Sequence, residues 1–189
     1  MNAFAPPIGE ILEEGPWLRG DAEAETSAMA EPFRSAMRRL AAGTSAVTVR
    51  QGDDIMGLTA TSVTSLSLEP PSLLVSIRQQ SPVLKAIIAA RMFTVHLLGE
   101  DQSHEANVFA GRAGSAPRAS LVDWSHRDDG APRLKGAVVH IDCSVAKLIP
   151  VFSHMLVIGT AAAVELEADR RPLVYFDGAF HSLTPPEPA

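Results

Sequence analysis

Apolar residues in the central part of the chain fall mostly into short runs that are typical of β-strands. These runs are rich in Val, Ile, Thr and Phe, which pack well on the pleated surface of a sheet. Turn residues separate them, among them Gly52-Asp53-Asp54 and the pair Pro70-Pro71. The pattern predicts seven strand segments, namely Thr44–Arg50, Ile55–Leu68, Ser72–Arg78, Phe93–Leu98, Ala137–Leu148, Met155–Glu167 and Leu173–His181.

Helical periodicity is confined to short segments. An apolar stripe at i, i+4 and i+7, formed by Phe33, Met37 and Leu40, indicates the first helix. Two more helices are predicted over Pro82–Ala90, which carries a proline at an early helical position, and over Ser103–Phe109. Strands and long helices do not alternate, which disfavours a doubly wound parallel sheet. The pattern predicts a mainly β protein, a mostly antiparallel barrel with peripheral helices.

Composition and charge divide the chain into an acidic arm and a neutral domain. The 189 residues are 46% hydrophobic and 20% charged, which is enough for one buried core. The formal net charge is −6, and residues 1–31 alone hold seven acidic side chains against one basic side chain. We therefore expect an N-terminal arm over 1–31, a domain over 32–183 and a Pro-rich tail over 184–189. This balance lacks the basic clusters of a nucleic-acid-binding protein.

The compartment is predicted from cysteine content and from apolar run lengths. Cys143 is the single cysteine, so no intrachain disulfide is expected, and a reducing environment fits. The N-terminus lacks a basic region followed by an apolar run, so no signal peptide is predicted. The longest apolar candidate, Met155–Val164, is shorter than the ~20 residues that span a bilayer. We expect a cytoplasmic protein that contacts no membrane.

The segment from Gly57 to Pro71 carries most of the chemical information. Six of the nine residues from Thr59 to Ser67 bear hydroxyl groups. Small hydroxyls and free backbone N–H groups can bind a phosphate, a ribityl chain or the polar edge of a heterocycle. The same composition also fits an ordinary Thr-rich strand, and spacing alone does not decide between the two. Because no Gly-x-Gly-x-x-Gly or Walker-type loop is present, any nucleotide must be held in another way.

Histidine and cysteine spacing gives no metal site. His140 and Cys143 form a His-x-x-Cys pair, but residues three apart on a strand point to opposite faces. Two ligands are also too few for zinc. His96 lies in an apolar strand and is expected to be a core or interface histidine with a hydrogen-bonded partner.

Several segments, in order, resemble the flavin reductase-like, FMN-binding split-barrel family. The opening matches are Phe33-Arg34, Gly43–Thr48, Gly57–Ser62 and Ser65–Pro71. Later matches follow at Ser81–Leu84, Phe93–Leu98, Gln102, Phe109-Ala110, Gly136-Ala137, Asp142-Cys143, His154, Gly159, Pro172–Gly178 and Phe180. The resemblance spans about Pro32 to Leu183. It implies a split β-barrel that forms a homodimer, with a flavin in a groove near the subunit interface.

The resemblance implies an activity as well as a fold. Members of the family are the small reductase components of two-component flavin monooxygenases. They use NADH or NADPH to reduce FMN or FAD, and the reduced flavin then diffuses to a separate oxygenase. Hydride transfer between stacked rings needs positioning more than acid–base groups.

The resemblance also implies which residues contact the flavin. The isoalloxazine edge, the ribityl chain and the phosphate would meet Met56, Gly57, Leu58, Thr59, Thr61, Ser62, Ser76, Ile77, Arg78, Ser81, Pro82, Val83 and Phe109. Within this set Arg78 is the natural charge partner of the phosphate. Thr59 or Thr61 is the candidate catalytic donor toward flavin N5 or O4.

A second implied set borders the nicotinamide and consists of His154, Gly178 and Phe180. His154 is also carried over as a catalytic candidate. The chain departs from the family here, since Phe152-Ser153-His154 stands where Gly-Asp-His is common, and Phe180 stands where Tyr is common. The first change removes a carboxylate that would orient the histidine, and the second removes a hydroxyl.

Other functions stay open on the sequence. The alternatives are a flavin-binding protein without reductase activity and a split-barrel flavoenzyme that acts on an organic substrate. The choices between FMN and FAD and between NADH and NADPH are also open, with Arg112, Arg118 and Arg127 as candidates for a 2′-phosphate contact. The acidic arm lies outside the resemblance and is expected to clasp a second subunit, dock the oxygenase or aid solubility.

Overall fold

One seven-stranded antiparallel sheet forms the centre of the computed structural model, which describes residues 29–114, 117–167 and 170–184. The strands are β1 Ala42–Gly43, β2 Ser45–Gln51, β3 Asp54–Ala60, β4 Thr64–Leu68, β5 Pro71–Arg78, β6 Met92–Leu97, β7 Trp124–His126, β8 Pro132–Leu134, β9 Val139–Val151, β10 His154–Leu166, β11 Leu173–Phe176 and β12 Ala179–Ser182. The large sheet has the order β3-β2-β6-β9-β10-β5-β4, and β1-β11-β12 and β7-β8 form smaller sheets. The expectation of a mainly β, mostly antiparallel fold is confirmed.

Helices are few and lie at the periphery. They are α1 Ala30–Met37, α2 Pro82–Ala90, α3 Ser103–Phe109 and the short 3₁₀ helix Arg118–Leu121. The predicted bounds of α2 and α3 are confirmed. In the described part of the chain, no helix has the length and apolar character needed to cross a membrane. Residues 1–28 of the predicted arm and 185–189 of the predicted tail lie outside the described residues.

Three sequence predictions are corrected by the structure. The predicted strand Ile55–Leu68 is two strands, because β3 and β4 pair with different neighbours, β2 and β5. The run Leu173–His181 is a hairpin, because Asp177 and Gly178 both have positive φ and reverse the chain. Helix α1 ends at Met37, so Leu40 lies outside it; Phe33, Met37 and Leu40 are all exposed.

The main core lies between the sheet and α2. Alternate residues of the strands point inward, as the period of a strand requires, and Val47, Val75 and Val157 are fully buried. Helix α2 adds Leu84 and Ile87 from its inner face. A second cluster around Phe109, which includes Leu98, Leu134 and Leu173, joins α3 to the sheet. Helix α3 is thereby held along one end of the sheet rather than free in solvent.

A buried polar network crosses the centre of the sheet. His96 on β6 lies between Thr48 and His140, with its Nε2 2.8 Å from Thr48 Oγ1 and its Nδ1 2.8 Å from His140 Nδ1. The expectation that His96 is a core histidine with a satisfied partner is confirmed. His140 thus faces His96, whereas Cys143 belongs to the main core, where burial and then the negative charge of Asp142 raise the pKa of its thiol to about 12.

Carboxylates beside this network are paired with arginines. Asp142 accepts two hydrogen bonds from Arg133, one from Thr94 and one from Arg127. Arg133 in turn donates from Nε to Glu165 over 2.7 Å. These contacts, against the opposing effect of burial, hold the pKa of Asp142 below its ordinary value. The domain's buried acidic charge is therefore compensated internally.

We predict that stability depends on pH through the histidine pair. Burial, followed by the positive charges of His140 and Arg133, holds the pKa of His96 well below its ordinary range, and burial followed by Arg133 lowers that of His140. The unfolded chain takes up these protons near pH 6.5 and the folded chain does not. Stability is therefore complete above that pH and falls below it, by up to about 1.4 kcal/mol per pH unit for a histidine that stays uncharged in the folded chain.

Urea unfolding of the wild type and of His96→Gln between pH 8 and pH 5.5 measures this effect. The variant should be less stable at pH 8 but should lose less stability on acidification. If the free energy of unfolding fell by the same amount in both proteins on acidification, His96 would not be a source of the pH dependence.

Candidate functional site

The outer edge of β3 is the structural centre of the candidate site. Strand β3 ends the large sheet, so it pairs with β2 on one side only, and α3 and the 3₁₀ helix lie along the other side. The carbonyl of Gly57 points to that outer side, where it accepts a hydrogen bond from Arg118. Because the N–H and C=O of one residue in an antiparallel strand point the same way, Gly57 and Thr59 both direct their backbone groups outward.

A close contact between Gly57 and Phe109 holds α3 against this edge. A Cβ atom on Gly57 would lie 2.6 Å from Cε1 and 2.7 Å from Cδ1 of the Phe109 ring. Only glycine permits this approach. The ring is buried and meets Trp124 edge-on, with the ring centroids 6.3 Å apart. Phe109 is thereby fixed from both sides.

Arg118 ties the 3₁₀ helix to the same place. Its Nη1 donates to the carbonyl of Gly57 over 3.0 Å and to the carbonyl of Phe109 over 2.9 Å. One guanidinium thus joins β3, α3 and the 3₁₀ helix. The positive charge stays near the outer edge of β3 and lines the clefts on both sides of it.

The first cleft, of about 410 Å³, opens between β3, β5 and α3. Five hydroxyl side chains and two arginines line it, and the part of the chain that the structure describes contributes no carboxylate to its wall. The sequence-predicted residues that line it are Leu58, Thr59, Thr61, Ser62, Ser76, Ile77, Arg78, Ser81, Phe109 and His154. This donor-rich, cationic wall suits an anionic ligand with several oxygen atoms.

The second cleft, of about 560 Å³, adjoins the first and shares Ser81 and Arg118 with it. It holds the remaining residues of the predicted flavin set, Met56, Gly57, Pro82 and Val83. Ser81 is the N-cap residue of α2, but its side chain makes no capping bond, which leaves the hydroxyl available to a ligand. The whole predicted flavin set therefore lies around two contiguous clefts.

Side-chain orientation separates the members of that set. The Thr59 hydroxyl donates to the Ala106 carbonyl over 2.6 Å, so its proton is directed at α3. Ser62 donates to the Ser76 carbonyl over 3.0 Å and joins the two sides of the first cleft. The side chains of Ile77 and Val83 are buried in the main core, which leaves only their backbone atoms for a ligand.

The predicted nicotinamide set is divided in the structure. His154 lines the first cleft, and its Nδ1 lies 2.9 Å from Ser153 Oγ. Gly178 and Phe180 belong to the β11–β12 hairpin, where Phe180 meets Tyr175 edge-on at 5.5 Å. Neither of these two residues lines the clefts described above.

The structural role of Arg118 was not predicted from the sequence. This residue was considered only as one of three partners for a 2′-phosphate. The contact with Gly57 joins residues 61 positions apart, and no local motif marks such a pair. Further lining residues that were not predicted are Gln51, Asp54, Ile55, Ala60, Ala110, Pro117 and Ala119, and among these Asp54 carries a carboxylate.

Comparison with known proteins assigns the family. The family model for the flavin reductase like domain matches residues 37–184. An NADH:FMN oxidoreductase of Rhodococcus qingshengii is 38% identical over 174 residues, covering 90% of each chain. The reductase component of 4-hydroxyphenylacetate 3-monooxygenase from Thermus thermophilus is 35% identical, covering 84% of this chain and 99% of the relative.

Solved structures give the same result for the fold. The NADH:FAD oxidoreductase of Streptomyces globisporus, solved with NAD and FAD fragments, superimposes with a TM-score of 0.76 at 28% identity. The match covers 82% of this chain and 93% of that chain. The protein described here belongs to the flavin reductase like domain family, and its fold is that of the flavin reductase split barrels.

The Rhodococcus match also bears on the N-terminal arm. It covers 90% of the chain, whereas residues 29–189 make up only about 85% of it. The similarity therefore extends into the segment before Met29. Part of the arm that was expected to lie outside the resemblance is shared with this relative.

We predict that Gly57→Ala destabilises the protein, because the added methyl group collides with the Phe109 ring. Overpacking of this kind costs about 1–3 kcal/mol. Gly43→Ala is the matched control, since no atom lies within 4 Å of a Cβ at that position. Urea unfolding measures both variants, and equal stability of the two would contradict the packing described here.

Proposed function

We propose that the chain is an NADH-dependent flavin reductase that supplies reduced flavin to a separate monooxygenase. The observation that carries the proposal is the gathering of the entire predicted flavin set around the two clefts beside β3. The names of the relatives support it, since they include an NADH:FMN oxidoreductase and a monooxygenase reductase component.

The residues of the clefts fit the parts of a flavin. The outward N–H groups of Gly57 and Thr59 would meet the polar edge of the isoalloxazine, beside the Phe109 ring, since the Gly57 carbonyl already accepts from Arg118. Thr61 is exposed and is the better donor toward N5 or O4, because Thr59 gives its proton to Ala106. Ser62 and Ser76 would follow the ribityl chain, with Ile77 contributing backbone.

The phosphate would lie at the end of β5. Arg78 ends that strand, and the described chain offers it no ion-pair partner, so its charge is available to a ligand. Ser81 and Pro82 begin α2, whose N-terminal N–H groups favour an anion. Met56, Leu58 and Val83 complete the apolar and backbone surroundings.

The bound flavin supplies the redox chemistry by accepting a hydride from a nicotinamide. The chain's own task is to fix the ring in place and to keep water from one of its faces. His154, which lines the same cleft, is the proposed neighbour of the nicotinamide. Gly178 and Phe180 are proposed to reach it only through a rearrangement or from a second subunit.

Ligand preference follows the named relatives. We propose NADH rather than NADPH as the electron donor, since the oxidoreductases named above use NADH. Both FMN and FAD are proposed as acceptors, because one relative is named for each. A reducing compartment that holds NADH, such as the cytoplasm, fits this activity.

A second copy of the chain is the proposed structural partner. Leu66 and Leu68 on edge strand β4, together with Val164 and Leu166 at the end of β10, are exposed apolar residues. Leu68 and Val164 border a groove of about 430 Å³ with an apolar lining. Burial of this surface would favour a homodimer. Sedimentation at micromolar concentration tests this proposal, and a monomer there contradicts it.

We predict that the purified protein oxidises NADH when FMN or FAD is added. The measurement is the loss of absorbance at 340 nm under anaerobic conditions, with NADPH as the comparison donor. Flavin binding without NADH oxidation would contradict the reductase and favour a binding protein. Oxidation that requires an added organic acceptor would favour a flavoenzyme of another type.

We predict that Arg78→Met weakens FMN binding about tenfold and leaves riboflavin binding nearly unchanged. Riboflavin lacks the phosphate, so only a charge-assisted contact with the phosphate distinguishes the two ligands. Calorimetric titration of both ligands measures the ratio, and Arg34→Met in helix α1 is the control. If FMN and riboflavin binding were weakened equally, Arg78 would not contact the phosphate.

A further inference from the structure

An exposed aromatic side chain stands beside the first cleft without a role in the mechanism. Phe152 is the first residue of the two-residue turn between β9 and β10, and 78% of its surface is exposed. Its φ is +49°, in the left-handed region that favours glycine and is unusual for a bulky residue. Because the ring is exposed, its packing within the chain does not offset the cost of this backbone conformation.

Side-chain and backbone hydrogen bonds fix the turn to the cleft. The Gln79 carboxamide donates to the Phe152 carbonyl over 3.0 Å and to the His154 carbonyl over 3.1 Å. The Gln79 N–H donates to the Ser153 carbonyl over 3.0 Å. Because Gln79 directly follows Arg78 and His154 directly follows the turn, the turn is held next to two residues that line the cleft.

The position of the turn beside Arg78 determines which part of a bound nucleotide would lie next to it. In the proposed function, on which this inference rests, Arg78 and α2 hold the flavin phosphate. A mononucleotide ends at that phosphate. A dinucleotide continues from it through a pyrophosphate to an adenosine, and the 152–153 turn, bonded to Gln79 next to Arg78, lies along one path out of the cleft. An exposed, fixed aromatic ring at such an exit offers a stacking surface for a flat base.

We propose that Phe152 forms an adenine-stacking subsite at the mouth of the cleft for a dinucleotide whose other half lies inside. FAD supplies this adenine when it is the flavin, and NADH supplies the same ring when it is the electron donor. Where FAD supplies the adenine, the subsite gives the chain a preference for FAD over FMN that the shared residues of the cleft do not provide.

The binding test compares Phe152→Leu, Phe152→Gly and Phe152→Trp with the wild type by calorimetric titration of FAD and FMN. The leucine and glycine variants should bind FAD at least about fivefold more weakly, since loss of one aromatic–base stack weakens binding by that much or more. Their FMN affinity should stay within about twofold. Phe152→Trp should retain FAD affinity, and Phe33→Leu, at an exposed site on α1, is the control.

A second arm identifies the source of the adenine. The KM for NADH is measured with FMN as acceptor, so that only NADH carries adenine. An increase in this KM with unchanged FAD affinity assigns the subsite to NADH. Weaker FAD binding with an unchanged KM assigns it to FAD. The glycine variant should unfold at a temperature no lower than the wild type, because glycine accepts the turn conformation.

Three results would overturn the subsite. The first is unchanged FAD affinity together with an unchanged KM for NADH. The second is equal weakening of FMN and FAD, which would place Phe152 at their shared part. The third is conversion of a dimer to a monomer in Phe152→Leu, which would assign the ring to a subunit interface. Wild-type FMN binding distinguishes these failures from failure of the proposed function, because a chain that binds no flavin overturns both.

Discussion

The packing of Phe109 on Gly57 is the contact on which the candidate site depends. It brings α3 to the outer edge of β3 without letting the helix cover that edge, because the ring lies over the one residue that has no side chain. Arg118 then links Gly57 and Phe109 through their carbonyls and adds a positive charge. The edge strand thus keeps outward backbone groups within reach of a ligand, while its side chains contribute to the core.

The distribution of charge suits the same site. Acidic groups inside the domain are paired with arginines, as Asp142 is with Arg133 and Arg127, and these pairs lie apart from the clefts beside β3. The clefts themselves present hydroxyl groups with Arg78 and Arg118. In the first cleft a phosphate therefore meets donors and cations without an opposing carboxylate from the described part of the wall, whereas Asp54 lines the second cleft.

The sequence predicted the fold class and α2 and α3 because these depend on local patterns of apolar residues and on Pro82. It placed one strand where β3 and β4 stand, since the turn at residues 61–63 carries no Gly or Pro. The apolar stripe of α1 indicated a helix but not the exposure of that face, because periodicity does not show what covers a face. The site residues on β3 and β5 were named through the family resemblance. Arg118 was not, since its contact with Gly57 exists only in the folded chain.

The central claim is that flavin binds along the outer edge of β3. Hydrogen–deuterium exchange, followed by mass spectrometry with and without saturating FMN, tests it most directly. The outward amides of Gly57 and Thr59 have no partner strand, so bound FMN should slow exchange in peptides covering residues 56–62 and 76–83, with α1 unchanged. Slowed exchange confined to the apolar groove bordered by Leu68 and Val164 or to the β11–β12 hairpin, with residues 56–62 unaffected, would contradict the account.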